Sequence, residues 1–370
     1  MIVGIPTEVK TAENRVAMTP DGVRGLTSLG HQVRVQTGAG IGSSFSDADF
    51  ASAGADMVSA EDAWASQLVC KVKEPQESEF AYLREDLVLF TYLHLAAYPE
   101  VAQALFETKT TGIAYETVQT ANGDLPLLAP MSEVAGRIAT QVGASLLEKR
   151  NGTRGILLGG VPGVRAARVV VIGAGHVGWN AAWIAQGMEA EVLLLDRNID
   201  RLRWVDQIHK GRIMTLTSNR GSIERALREA DLLIGAVLVA GGRAPIVVDD
   251  EMVAMMRPGS VIVDVAVDQG GCIETTHETT HEDPTYFVHG VLHYAVGNMP
   301  AAVPHTSTYA LTNATLPYVL ALAEQGVAGA VAADFALRGG INSVDGVCTN
   351  EAVAEALGVV AGDPLQLLGA

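Results

Sequence analysis

The chain has 370 residues, 48% hydrophobic and 18% charged, which allows a large buried core and excludes a disordered polymer. Its length points to about two domains. Lys+Arg 25 against Asp+Glu 42 leaves a net charge of −17, a surface that disfavours nucleic acid and anionic membrane as partners.

Cys70, Cys272 and Cys348 are odd in number and far apart, as expected of reduced thiols in a cytoplasmic protein. The opening Met1-Ile2-Val3-Gly4-Ile5-Pro6 has no basic leader and reads as a strand. No apolar run looks long enough to span a bilayer.

Residues 1 to about 130 alternate short strands and helices. Ile2 to Ile5 is the first predicted strand, followed by a polar loop to Arg15 and a helix opened by Thr19-Pro20-Asp21. Further strands are predicted over Gln32 to Gln36, Leu68 to Lys73, Val88 to Leu95 and Thr111 to Val118. Lys73 and His94 fall at carboxyl ends of strands, where open α/β sheets bind ligands. Taken singly, each also has a plainer reading, as a solvated lysine and a hydrogen-bonded core histidine, and Arg15 alone reads as surface. A long amphipathic helix is expected from Pro130 and Ser132 to about Arg150, a plausible interdomain connector, and Gly159-Gly160-Val161-Pro162-Gly163 follows as a loop.

Arg168 to Asp196 carries the strongest signal. The apolar run Val169 to Ile172 is a strand buried on both faces. Gly173, Gly175 and Gly178 follow as G-x-G-x-x-G, before a helix to Met188 and a second strand ending at Asp196. Gly173 allows the tight turn, Gly175 lets a pyrophosphate approach the backbone, and Gly178 lets the helix pack close to the sheet. Asp196 stands where an acid can accept the hydroxyls of an adenosine ribose, so NAD is the expected cofactor. Later strands are predicted near Ile213 to Thr217, Asp231 to Ala236, Ser260 to Val267 and Tyr286 to His289, completing a doubly wound unit. Asp268, ahead of Gly270-Gly271, is a candidate catalytic acid, and Asn298-Met299-Pro300 a polar loop in the next such position. From Thr306 a long helix is expected, kinked or restarted near Pro317, and the C-terminal residues look helical and loop-like. The pairs His277/His281 and His289/His293 have helical metal spacing, but their neighbours read as exposed loop, and no metal site is expected.

Several longer motifs then resemble the alanine dehydrogenases. They include GIPTEVK with Arg15-Val16-Ala17, KVKEP from Lys71, HLAA from His94, AYETVQ from Ala114 and PMSEVAGR from Pro130. GGVPGV, GAGHVG, VDQGG, NMPAAVP and TSTYALTNATLPY continue the match to about residue 320. The resemblance implies an α/β fold of two Rossmann-like doubly wound domains with a cleft between them. Residues 1–130 plus 305–370 would form the substrate domain and 131–304 the NAD-binding domain. It implies reversible oxidation of L-alanine with NAD⁺ and water to pyruvate, NADH and ammonium, in a cytoplasmic homohexamer. Carried over by residue, Arg15 and Lys73 would bind the pyruvate carboxylate and carbonyl. His94 would be the acid/base, assisted by Asp268. Asn298, Met299 and Ser132 would contact the nicotinamide region, Asp196 the adenosine ribose and Arg201 the adenosine end. The NAD-binding subunit of transhydrogenases looks like a relative of the same architecture, so a transhydrogenase-like NAD(H)-binding component is the alternative. His94, Lys73 and Asp268 favour the dehydrogenase, because a hydride relay needs no substrate acid/base.

Overall fold

The computed structural model describes residues 1–237 and 244–369. The chain divides into two compact units, Met1–Met131 with Val303–Ala370, and Ser132–Ala302.

The first unit is built on an eight-stranded sheet. Six strands are parallel: β1 (Ile2–Ile5), β2 (Gln32–Gln36), β3 (Asp56–Val58), β4 (Leu68–Cys70), β5 (Val88–Thr91) and β6 (Thr111–Ala114). Their spatial order is β6-β5-β4-β1-β2-β3. That is the doubly wound order, which reverses direction beside β1 and opens a crevice at the carboxyl ends of β1 and β4.

The second unit repeats this plan. Its strands are β7 (Arg168–Ile172), β8 (Glu191–Asp196), β9 (Met214–Thr217), β10 (Leu232–Gly235), β11 (Val261–Asp264), β12 (Thr285–Val288) and β13 (Val291–Tyr294). They lie in the order β12-β13-β11-β10-β7-β8-β9, parallel throughout except for β12. Alternate side chains of β7 feed opposite layers: Val169 and Val171 pack into one core, Val170 and Ile172 into the other. The expected α/β class with two mostly parallel sheets is what the chain adopts.

Several details differ from the sequence expectation. The sixth parallel strand is β13, not the Tyr286 to His289 segment, which lies in the antiparallel edge strand β12 and the turn after it. His289 and Gly290 form a two-residue turn with φ of 52° and 74° that joins the two. His293 is therefore a fully buried strand residue bonded to Thr275, not part of an exposed loop. The C-terminal segment adds two more antiparallel strands to the first unit, β14 (Ile341–Val344) on β6 and β15 (Val347–Cys348) on β14.

The connecting helix spans Ala129–Leu146 and stops short of Arg150. The long helix Pro304–Ala333 runs unbroken through Pro317; its non-helical residue is Gly326, at φ 70° and ψ 171°. Contrary to expectation, that helix is long and apolar enough to cross a membrane by length and composition alone. It packs as an element of the first unit, burying Leu311, Val319, Leu322 and Val331, and the Thr308 hydroxyl accepts the N–H of Val16 at 3.1 Å.

Candidate active site

In the first unit three loops leave the carboxyl ends of β1, β4 and β5, and a carboxylate anchors each. Arg15, on the loop after β1, is only 2% exposed. Its Nε donates to Glu13 Oε1 at 2.6 Å and its Nη2 to the other Glu13 oxygen, while Nη1 points at Met131 Sδ at 3.1 Å. Burial alone would lower the guanidinium pKa, but the charge and hydrogen bonds of Glu13 outweigh it and raise the pKa. Sequence reasoning missed Glu13, although an acid two residues from an arginine in a polar loop is a visible signal.

Lys73 does not end a strand; β4 stops three residues earlier, at Cys70. The cause is Glu8, a buried carboxylate that accepts the N–H of Val72 at 2.6 Å and of Lys73 at 3.4 Å. Lys71 is fully buried and its ammonium donates to Glu8 at 3.1 Å and Glu79 at 2.9 Å. The two lysines of KVK thus part company. Lys71 locks the core and Lys73 is half-buried in the loop.

His94 likewise lies beyond its strand, since β5 stops at Thr91. Its backbone is left-handed, at φ 48°. The Glu116 carboxylate accepts the His94 N–H at 2.6 Å and the Leu93 N–H at 3.2 Å. The ring stacks parallel to buried Tyr92 with centroids 5.7 Å apart, and the Tyr92 hydroxyl donates to the Leu127 carbonyl at 2.6 Å. Burial pulls the imidazole pKa down to about 3, helped by the charges of Lys73, Lys10 and Arg15. The side chain still keeps 34% of its surface open. The structure thus brings together a neutral, accessible imidazole and a cluster of cations, a set suited to a small carboxylate that exchanges protons.

The second unit carries the glycine turn. Gly173 has φ 106°, and a Cβ there would fall 2.4 Å from the Ala236 carbonyl oxygen. A Cβ on Gly178 would lie 1.7 Å from the Gly173 oxygen, so the helix His176–Gly187 can start only with glycine there. At Gly175, its N-cap, a Cβ would meet, among the described residues, only Arg201 Nη1 at 3.9 Å, which leaves the backbone approachable and sets Arg201 beside the turn. Asp196 ends β8; one oxygen accepts the Ala174 N–H at 2.6 Å and the other the Asn198 N–H at 2.7 Å. A bare turn, a helix N-terminus and an acid tied to the same turn fit the pyrophosphate and ribose of a dinucleotide.

At the end of β11, the buried Asp264 accepts the N–H groups of Ala266 at 3.0 Å, Cys272 at 3.0 Å and Ile273 at 3.3 Å, and the Thr276 hydroxyl at 2.7 Å. It therefore shapes the loop that exposes Asp268. Asp268 accepts the Asn298 N–H at 3.0 Å, and Asn298 is itself left-handed at φ 56°. Asp268 and Asn298 are thus brought together. Met299 is only 2% exposed and its side chain packs in the core rather than lining an open face. Ser132 is half-buried in the first turns of the helix Ala129–Leu146. No group of three or more His, Cys, Asp or Glu side chains suited to a metal occurs among the described residues.

Comparison with known proteins gives matches along the whole chain. Residues 4–135 match the family described as "Alanine dehydrogenase/PNT, N-terminal domain", and residues 139–351 match the corresponding C-terminal domain. The alanine dehydrogenase of Bacillus subtilis is 56% identical over 360 residues, covering 97% of this chain and 95% of that protein. That of Mycolicibacterium smegmatis is 55% identical over 370 residues, covering 100% of both. A solved structure of an L-alanine dehydrogenase aligns with a TM-score of 0.94 at 51% identity, over 97% of this chain and 99% of the other. A transhydrogenase from Sinorhizobium meliloti shares the fold, with a TM-score of 0.81 at 24% identity over 95% of this chain and 100% of the other.

Proposed function

The chain belongs to the alanine dehydrogenase/PNT family, and on that premise we propose that it catalyses the reversible oxidative deamination of L-alanine. L-Alanine, NAD⁺ and water become pyruvate, ammonium, NADH and a proton. The observation that carries the assignment of residues is the neutral His94 ring set among the charges of Lys73, Lys10 and Arg15.

Bound at the glycine turn, NAD⁺ supplies the hydride acceptor. Gly173, Gly175 and Gly178 leave room for its pyrophosphate, and Asp196 and Arg201 hold its adenosine end. Ser132, Asn298 and Met299 serve the nicotinamide region, Met299 through its backbone because its side chain is buried. Arg15 and Lys73 bind the substrate carboxylate and the carbonyl oxygen. Glu13 keeps the Arg15 fork oriented through two hydrogen bonds. His94, neutral when empty, takes the proton of the water that attacks the substrate carbon and returns it in the reverse direction. Asp268 assists the proton transfers of water and amine. The subunit works as a homohexamer in the cytoplasm, which the family resemblance supports and light scattering and fractionation would test.

The activity assay is NADH formation from NAD⁺ with each L-amino acid in turn under alkaline conditions. L-Alanine should be the preferred substrate; a protein that binds NADH but oxidises no amino acid would overturn the assignment.

A further inference from the structure

Glu116 has no part in the mechanism above, yet its carboxylate holds the backbone of His94. Its two oxygens take the N–H of Leu93, each at 3.2 Å, and the nearer one takes the N–H of His94 at 2.6 Å. The carbonyl of His94 accepts the N–H of Ala97 at 2.8 Å and of Tyr98 at 3.1 Å. Both sides of this residue's backbone are therefore fixed, in a left-handed conformation that residues other than glycine rarely adopt. That conformation turns the chain sharply off β5 and lays the ring flat against Tyr92, at an interplanar angle of 5°. Glu116 sits in the short helical turn Tyr115–Thr117 after β6, the neighbouring strand, so the contact ties two strand ends together. The same oxygen that grips the backbone lies 3.9 Å from His94 Nδ1.

We propose that Glu116 is the positioning residue of His94: its carboxylate holds the left-handed turn that aims the imidazole and stands beside Nδ1 when the ring takes up a proton. This rests on the reading of His94 as the acid/base. Among the described residues, the charged and titratable groups that act on or touch the ring are Lys10 and Arg15 from the loop after β1, Lys73 from the loop after β4, Tyr92 beneath it, and Glu116. Four of these five are cations or neutral, and all three cations oppose protonation of the ring. Glu116 is the acid at the ring nitrogen, 3.9 Å from Nδ1, and when ionised its charge would favour imidazolium. On balance the Glu116 carboxyl pKa is raised: burial lifts it, and the N–H groups of Glu116, His94 and Leu93 and the charge of Lys73 offset only part of that rise. One carboxylate thus serves both the geometry of the base and its affinity for a proton.

The test is the pH profile of kcat for pyruvate amination in Glu116→Gln, Glu116→Asp and His94→Asn, with NADH binding measured in parallel. Glu116→Gln keeps the shape and one acceptor oxygen but removes the charge. It should lower kcat at least about tenfold and move the limb assigned to His94 to lower pH by about half a unit or more, with NADH affinity within about twofold of the parent. Glu116→Asp keeps the charge on a shorter stem and should lower kcat while leaving the limb near its place. It also serves should the amide variant not fold, since full kcat in Glu116→Asp contradicts the positioning role. An unmoved limb in Glu116→Gln overturns the proposal whatever happens to kcat. His94→Asn separates the two levels. If it loses turnover and the limb, His94 is the acid/base and the Glu116 result stands on its own; if it keeps turnover, the underlying assignment of His94 fails.

Discussion

The carboxylate of Glu116 grips the main chain of His94, at 2.6 Å from its nitrogen, more closely than it approaches the ring, 3.9 Å away at Nδ1. A related device recurs at the loops that carry Lys73 and Asp268. Glu8 takes the N–H groups of Val72 and Lys73, and Asp264 those of Ala266, Cys272 and Ile273. Glu116 and Glu8 take donors just past the ends of β5 and β4, and Asp264 closes the loop that follows β11.

One consequence concerns proton uptake. With the site empty, His94 is held neutral by burial and by the neighbouring cations. A substrate carboxylate arriving at Arg15 and Lys73 screens those cations, so the ring should gain proton affinity on binding. Pyruvate binding to the enzyme–NADH complex near pH 6.5 is therefore expected to take up a fraction of a proton. Calorimetry in buffers of different ionisation enthalpy measures it, and His94→Asn should abolish it.

A second prediction concerns the buried pair of Arg15 and Glu13. Removing one partner of a buried ion pair costs about 3–5 kcal/mol, because the other charge stays buried. Glu13→Ala should therefore destabilise the fold by about that amount, and raise KM for pyruvate by releasing the Arg15 fork. Urea unfolding and steady-state kinetics check both effects. Unchanged stability would show that Arg15 does not depend on Glu13.

Cofactor choice follows from Asp196. A carboxylate at the end of β8 repels a 2′-phosphate, so NAD⁺ should be strongly preferred over NADP⁺. Asp196→Ala should weaken NAD⁺ and narrow the gap, and should also loosen the turn by freeing the N–H of Ala174. Equal use of both cofactors by the parent protein would remove Asp196 from the ribose site.

Acid stability should depend on His293. Burial lowers its folded-state pKa below 6.5, so the unfolded chain binds a proton there more readily. Its contribution is complete above pH 6.5 and is lost as pH falls toward the folded value. His293→Gln should flatten the loss of stability as pH falls below about 6.5, as read from denaturation midpoints. An unchanged slope would mean that another group dominates there.

The sequence made the alternating apolar strands and the glycine turn legible because both signals are local. Val169 to Ile172 is apolar without interruption, and Gly173 and Gly178 sit where a Cβ would strike a carbonyl oxygen. Strand ends were less legible. The expected strands reach Lys73, Leu95 and Val118, but β4, β5 and β6 stop at Cys70, Thr91 and Ala114. At the first two, what ends the ladder is a carboxylate distant in sequence, Glu8 or Glu116, which no periodicity reveals. The missed hairpins did carry a local signal. Asp345-Gly346, between β14 and β15, has φ of 48° and 78°, and His289-Gly290 plays the same part between β12 and β13. Lys73 and His94 attract attention at the ends of predicted strands, and Arg15 through the motif around it. Their holders Glu13, Glu8 and Glu116 do not, because a buried acid looks like a surface acid until its partners are known.

The most direct measurement is kcat, KM for pyruvate and NADH affinity, side by side, for His94→Ala, Asp268→Asn, Arg15→Ala and Lys73→Ala. A positioned acid/base contributes about 10²- to 10⁴-fold in rate. The first two variants should therefore each lose at least about two orders of magnitude in kcat, with NADH affinity little changed. The last two should also raise KM for pyruvate, because each removes a partner of its carboxylate or carbonyl. Near-full turnover in both His94→Ala and Asp268→Asn would contradict the account and place the proton chemistry on other residues.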